Sequence, residues 1–273
     1  MKKIALPGIT LALALSLVAS SCSAQPSLIA LHAGSLSVPF DKLAEEFGEQ
    51  NPGVTMVTEA AGSRTTIRKV TELGKPGDII GSSDYRAIEE LMFPEFADWY
   101  IAFATNEMVL SYRDGAPFAD EITGGERAWY DVLVNEAVRY GHSDPDIDPC
   151  GYRTLMVVQL AESYYPAPGL YDDLIHGQGL DKGRHNSGLE IVRPKETDLL
   201  YLLESGDLDY AFEYRSVATQ HGFDYFELPE EINLSSLDFA DFYAAAEVEV
   251  TGKEPGTMTT VSGGPIVYGV TIP

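Results

Sequence analysis

Basic residues are scarce in this chain of 273: 18 lysines and arginines stand against 42 aspartates and glutamates, a formal charge of −24. A polyanion would be repelled by such a surface, which excludes nucleic acid as a partner. A small anion would have to be captured by local geometry, against a field that salt screens beyond ~10 Å. Cysteine is nearly absent. Cys22 and Cys150 are the two in the chain, too few for a disulfide framework, so the fold must rest on its core; the residues after Ala24 suffice for one large or two small α/β lobes. No apolar run after residue 24 is long enough to span a bilayer. There is no GxSxG elbow and no HExxH pair. The five histidines lack metal-ligand spacing: His32 falls at a strand end, His142 and His176 in loops, and His185 and His221 among polar residues. None is assigned a role.

What is present begins with an export signal. Lys2 and Lys3 precede an apolar run from Ile4 to Ala19 and the small residues Ser20-Ser21-Cys22-Ser23, the layout of a secretory segment. Cysteine directly after small residues resembles a lipobox, with Cys22 as the lipid-modified first residue; the alternative is simple cleavage near Ala24. Residues 1–24 are therefore set aside as a signal, and the mature protein is expected on the outer face of the cell membrane, anchored through Cys22.

Beyond the signal, strand and helix patterns alternate. Leu28–Leu31 reads as a strand, Ser37 to about Asn51 as a helix with Phe40, Leu43, Ala44 and Phe47 on one face, and Val54–Val57 as a second strand. Ser63 opens a helix with Ile67, Val70 and Leu73 inward, closed by Gly74 and Pro76. Asp78–Ile80 is a third strand, followed by a helix carrying Ile88, Leu91 and Met92. This βαβαβα order predicts a largely parallel sheet. Trp99–Phe103 and Glu107–Tyr112 read as strands joined by Ala104-Thr105-Asn106 and leading into a second lobe. There, Ala128–Arg139, Arg153–Tyr165 and Leu199–Leu203 read as helices, Asp148–Tyr152 as a loop, and Tyr210–Phe212 as a strand leading to Glu213. Val261–Pro265 precedes a returning strand, Ile266–Ile272. The expected division is residues 25–105 plus 262–273 for lobe 1 and 106–261 for lobe 2.

One motif occurs twice. Gly34-Ser35 and Gly62-Ser63 each follow an apolar run and open a helix, so each can aim backbone N–H groups and a hydroxyl at an anion beyond the carboxyl ends of the strands. Arg64, directly after Ser63, is either a cation in that pocket or a solvated residue at the helix start.

The segments HAGSLSVPF, EAAGSRTTIRKV, GDIIGSSDYRAIEELM, FATNEMVLSY, DPCGYR, DYAFEYRSVA and PIVYGVTIP resemble, in wording and order, the archaeal molybdate/tungstate-binding proteins, over residues 28 to 273. The resemblance implies an α/β, two-lobed type II periplasmic-binding-protein fold, each lobe a mixed, mostly parallel sheet flanked by helices, with the oxyanion in the cleft between them. It implies a monomeric binding protein, neither an enzyme nor a cofactor carrier, that delivers molybdate or tungstate to an ABC transporter permease. Carried over residue by residue, the oxyanion contacts are Gly34, Ser35, Ser63, Asp148, Pro149, Cys150 and Glu213, with the carboxylates of Asp148 and Glu213 on the molybdenum or tungsten. Relatives usually continue past PIVYGVTIP into helices that complete the first lobe, so those C-terminal helices are expected to be missing here. Residues alone leave other readings open. Asp148 before Pro149 can start a turn, Glu213 can be a surface strand position, and Cys150 a packed thiol. The site could then take sulfate, phosphate or another small anion with both acids outside it, or Asp148 and Glu213 could be the acid/base pair of an exported hydrolase.

Overall fold

The computed structural model describes residues 26–175 and 189–273; the signal segment with Cys22, and His176 and His185, lie outside the described residues. The strands β1 (Ser27–Ala33), β2 (Thr55–Ala61) and β3 (Ile79–Ser82) are joined by α1 (Ser37–Gln50) and α2 (Ser63–Thr71), and α3 (Tyr85–Met92) leads to β4 (Ile101–Asn106). A second series follows: β5 (Met108–Tyr112), α4 (Ala119–Thr123), α5 (Trp129–Asn135), β6 (Tyr140–Ser143), α6 (Pro149–Tyr164), α7 (Leu170–Leu174) and β7 (Glu190–Arg193). It continues with α8 (Thr197–Ser205), β8 (Tyr210–Tyr214), α9 (Arg215–His221) and β9 (Asp224–Glu227). After α10 (Ala240–Tyr243), a hairpin of β10 (Glu247–Thr251) and β11 (Met258–Ser262) precedes β12 (Ile266–Thr271).

Two five-stranded sheets result, ordered β2-β1-β3-β12-β4 and β7-β6-β8-β5-β9. They share one plan. The first three strands in each order are parallel, and the fourth, β12 or β5, runs against both its neighbours. The parallel strands place the loops after β1 and β2 at one end of the first sheet, the end at which α/β sheets hold ligands. Leu31 and Ile80 pack there with Ile67 and Val70 of α2 and Ile88 and Leu91 of α3. In the second lobe α6 is buried on nearly every side, as a helix apolar all round must be. The edge strand β4 leaves Ile101 and Phe103 exposed.

Five expectations change. The helix expected from Arg153 begins at Pro149, because Asp148 caps it and proline at the first helical position gives up only an N–H that would have no helical partner. The helix expected to reach Arg139 stops at Asn135, where Glu136 turns extended and the chain heads for β6. Ala104-Thr105-Asn106 belongs to β4 and pairs with β12 instead of forming a joint. Val261 and Ser262 pair with β10, so the chain rejoins the first sheet only at Ile266. His142 lies in β6 instead of a loop, buried against Glu190.

Candidate oxyanion site

Both Gly-Ser openings are buried, and no side chain caps either helical turn. No side-chain oxygen therefore takes up their backbone N–H groups; the Thr65 N–H of α2 donates to the Ile147 carbonyl (3.4 Å). Gly62 meets the second lobe directly: a Cβ there would sit 2.4 Å from the Ile147 carbonyl oxygen and 3.0 Å from Asp148 Cβ. Only glycine permits that approach, since the obstacle is backbone. Gly62→Ala should hold the lobes apart, raising the radius of gyration seen by small-angle scattering, with an overpacking cost of about 1–3 kcal/mol. A scattering curve identical to the parent's would refute this.

Across from the openings stand three buried carboxyl groups. Asp148 is the N-cap of α6; its Oδ1 accepts from Cys150 N–H (3.2 Å) and its Oδ2 from Glu196 N–H (2.9 Å). Glu213, on β8, is wholly buried, not a surface strand position. Glu196, just before α8, was not identified from the sequence. A Cβ on Gly34 would lie 2.8 and 2.9 Å from the two Glu196 carboxylate oxygens, so this side chain is aimed at the first Gly-Ser loop. Within the described residues, neither the Glu196 nor the Glu213 carboxyl oxygens have a hydrogen-bond partner. The one sequence signal for Glu196 was an acid at a helix start, which the helix dipole favours at any helix.

Burial raises all three acids. Glu213 is pushed well up by loss of solvent and then by Asp148, and Glu196 by loss of solvent and then by Asp148 and Glu213. Asp148 is raised by burial, against the opposing pull of the Cys150 and Glu196 backbone N–H groups it accepts from. The Cys150 thiol is buried, and burial, Glu213 and Asp148 hold it protonated. It is a packed thiol near the Phe212 carbonyl, and Pro149 and Cys150 bring the first turn of α6 to the cleft.

The hydroxyls of the openings are already engaged from behind. Ser63 Oγ accepts from Ser83 N–H (3.0 Å) and contacts Ser83 Oγ (3.0 Å). Ser35 Oγ accepts from Tyr268 OH (3.0 Å). Arg64 is neither a pocket cation nor solvated: it is buried, forked onto Glu90 and bonded to the Thr251 carbonyl. Arg153, on α6, is a second buried cation. It donates to the Ser83 carbonyl and Tyr214 OH and pairs with Asp84 across the cleft. Asp148, Glu196 and Glu213 do not form a cation site, and no group of three His, Cys, Asp or Glu among the described residues does.

Two sheets of one plan, facing loops and a polar seat between them define a two-lobed binding protein. The chain belongs to the bacterial extracellular solute-binding proteins, whose family model matches residues 28–272. It is 52% identical to an uncharacterized solute-binding protein of Petrotoga mobilis, over 90% of this chain and 73% of that one. It is 44% identical to the molybdate/tungstate-binding protein WtpA of Pyrococcus abyssi, over 90% of this chain and 74% of the relative. Among solved structures, the periplasmic molybdate-binding protein of Azotobacter vinelandii shares the fold with a TM-score of 0.52 at 18% identity, covering 90% of this chain and 84% of its own. The sulfate-binding protein SubI of Mycobacterium tuberculosis does so with 0.54 at 13%, covering 90% and 75%.

Proposed function

We propose that this protein captures molybdate or tungstate in the cleft and delivers it to an ABC transporter permease from the outer face of the membrane, anchored through Cys22. The observation that carries the ligand assignment is the pairing of two uncapped Gly-Ser openings with unpartnered buried carboxyls opposite them. For sulfate or phosphate such acids are a liability. Each carboxylate facing a dianion at ~4 Å costs about 1 kcal/mol per charge pair even in bulk water. For molybdenum(VI) or tungsten(VI) they are additional ligands, because these large Lewis-acidic centres accept oxygens beyond their four oxo groups. Asp148 and Glu213 would coordinate the metal of the cargo while Gly34, Ser35 and Ser63 donate to its oxo groups. The same acids then discriminate against the abundant oxyanions.

The relatives named for molybdate and tungstate support this reading. A sulfate site with both acids outside it fits poorly, since Asp148 Cβ lies against Gly62 and Glu213 is wholly buried near Asp148. Calorimetric titration of the mature chain with tungstate, molybdate and sulfate should give tight binding for the first two and none for sulfate. Sulfate binding of equal strength would refute the assignment.

A further inference from the structure

Serine is an ambiguous group in an anion site, because its hydroxyl can accept as readily as it can donate. What surrounds Ser35 and Ser63 removes the ambiguity. Behind Ser35 stands Tyr268 of β12, and behind Tyr268 stands Asn106 at the end of β4. Asn106 Nδ2 donates to Tyr268 OH (3.0 Å), and Tyr268 OH donates to Ser35 Oγ (3.0 Å). The orientation of the Asn106 amide is set independently: its Oδ1 accepts from the backbone N–H groups of Glu107 (3.0 Å) and Ser216 (3.4 Å), and its Nδ2 also donates to Ser216 Oγ. The NH2 must therefore face Tyr268. With one of its two lone pairs taken by Tyr268, Ser35 keeps its own proton to give.

The second opening has the same construction. Arg153, which has no acceptor, donates to Tyr214 OH (2.7 Å); Tyr214 OH lies 3.5 Å from Ser83 Oγ as its donor; Ser83 Oγ lies 3.0 Å from Ser63 Oγ. Ser63 Oγ also accepts from Ser83 N–H. The guanidinium end sets the polarity, each hydroxyl accepting from behind and donating ahead, until Ser63 is left with a proton to give. Ser35, Ser63, Ser83, Arg153, Tyr214 and Tyr268 are all at least 97% buried, so water does not compete for the bonds among them; Asn106 is half-buried.

We infer that Asn106–Tyr268 and Arg153–Tyr214–Ser83 are two hydrogen-bond relays that orient Ser35 and Ser63 as donors, so that this face of the seat favours oxyanion oxygens that carry no proton. This rests on the oxyanion reading of the site given above. The second relay has a further property: Ser83 belongs to the first lobe, Arg153 and Tyr214 to the second, so Ser63 is committed as a donor only when the lobes meet. Tyr214, Tyr268, Asn106 and Arg153 are in this sense positioning residues, acting on the ligand through the serines.

The test is a set of calorimetric titrations with sodium tungstate, molybdate, sulfate and phosphate on the parent, Tyr268→Phe, Tyr214→Phe and Asn106→Asp, each also built on Ser35→Ala. Asn106→Asp keeps the shape and turns the donor into an acceptor, drawing the Tyr268 proton backwards. Tyr268→Phe and Asn106→Asp should each weaken tungstate binding about tenfold, the scale of one hydrogen bond, and by less than twofold once Ser35 is alanine; Tyr214→Phe should weaken it in both backgrounds. A merely structural role for Tyr268 would persist in the alanine background. If the parent binds tungstate and the relay variants match it within twofold, or the Tyr268 effect survives Ser35→Ala, the relays are refuted and the functional reading stands. If the parent binds sulfate or phosphate instead, with the same dependence on the relays, the ligand assignment falls and the relays stand. A parent that binds none of the four anions overturns both.

Discussion

Replacing Glu213 with glutamine should weaken tungstate binding about 100-fold or more, roughly 2.7 kcal/mol, while making the ligand-free protein more stable at pH 8. The two effects share one cause. Glu213 is wholly buried on β8 with no partner for its carboxyl oxygens among the described residues, opposite Val109 in the β5 register and near Asp148, Glu196 and the Cys150 thiol. Burial first, and Asp148 second, raise it well above the ordinary glutamate value. The folded state therefore holds a proton that the unfolded chain gives up from about pH 4.3 upward. Between those two values the folded state binds more protons than the unfolded one, so stability falls as pH rises through the window. Glutamine has no proton to lose and keeps the shape. Melting curves of the ligand-free parent and variant should coincide near pH 4 and separate towards pH 8, with the variant higher. A variant melting at or below the parent at pH 8 would show that Glu213 is not a destabilised acid. Unchanged tungstate affinity would remove it from the coordination sphere.

Asp84→Asn should cost about 3–5 kcal/mol, the scale for breaking a buried ion pair from one side. Asp84 caps α3 in the first lobe and is buried where Arg153 and Tyr152 of α6 reach it from the second, Tyr152 OH donating at 2.6 Å and the Arg153 guanidinium lying at 3.3 Å. Arg86 completes the group. Burial alone would raise this carboxyl; Arg153 and Arg86 outweigh it and hold it at about 2. A depressed value means stability that is present above the unfolded pKa and is lost as pH falls towards 2. Denaturant unfolding at pH 7 should show the full cost in the variant. Below pH 4 the parent should lose stability more steeply than the variant, because only the parent has this carboxylate to protonate. A difference under ~1 kcal/mol at pH 7 would mean that the pair does not tie the lobes together. Scattering on the same samples separates opening of the lobes from unfolding.

The fold was legible to the extent that it is local. Apolar residues at helical spacing in Phe40–Phe47 and Ile67–Val70, with Gly74 at positive φ after α2, mark elements that need no distant contact to be recognised. Boundaries were lost where one residue type serves two purposes: Asp148-Pro149 is as good a helix start as a turn, and Ala104-Thr105-Asn106 looks like a joint until β12 pairs with it. At the candidate site, the Gly-Ser openings were legible as helix starts, and Asp148 and Glu213 entered through the family resemblance of the segments DPCGYR and DYAFEYRSVA. Glu196 was legible by neither route. Its importance comes from Gly34, 162 positions earlier in the chain by subtraction of the two residue numbers, whose missing side chain leaves room for it.

By itself the sequence determined the alternation that builds two mostly parallel sheets, the acidity that excludes nucleic acid, and the two openings that can hold an anion without a salt bridge. The tertiary structure alone decided what those openings face and which way their protons point. Tyr268 reaches Ser35 across 233 residues and Arg153 reaches Ser83 across 70. Such bonds depend on strand register and on the meeting of two lobes. Local periodicity carries no information about either, because it reports which face of an element is buried and not what is buried against it.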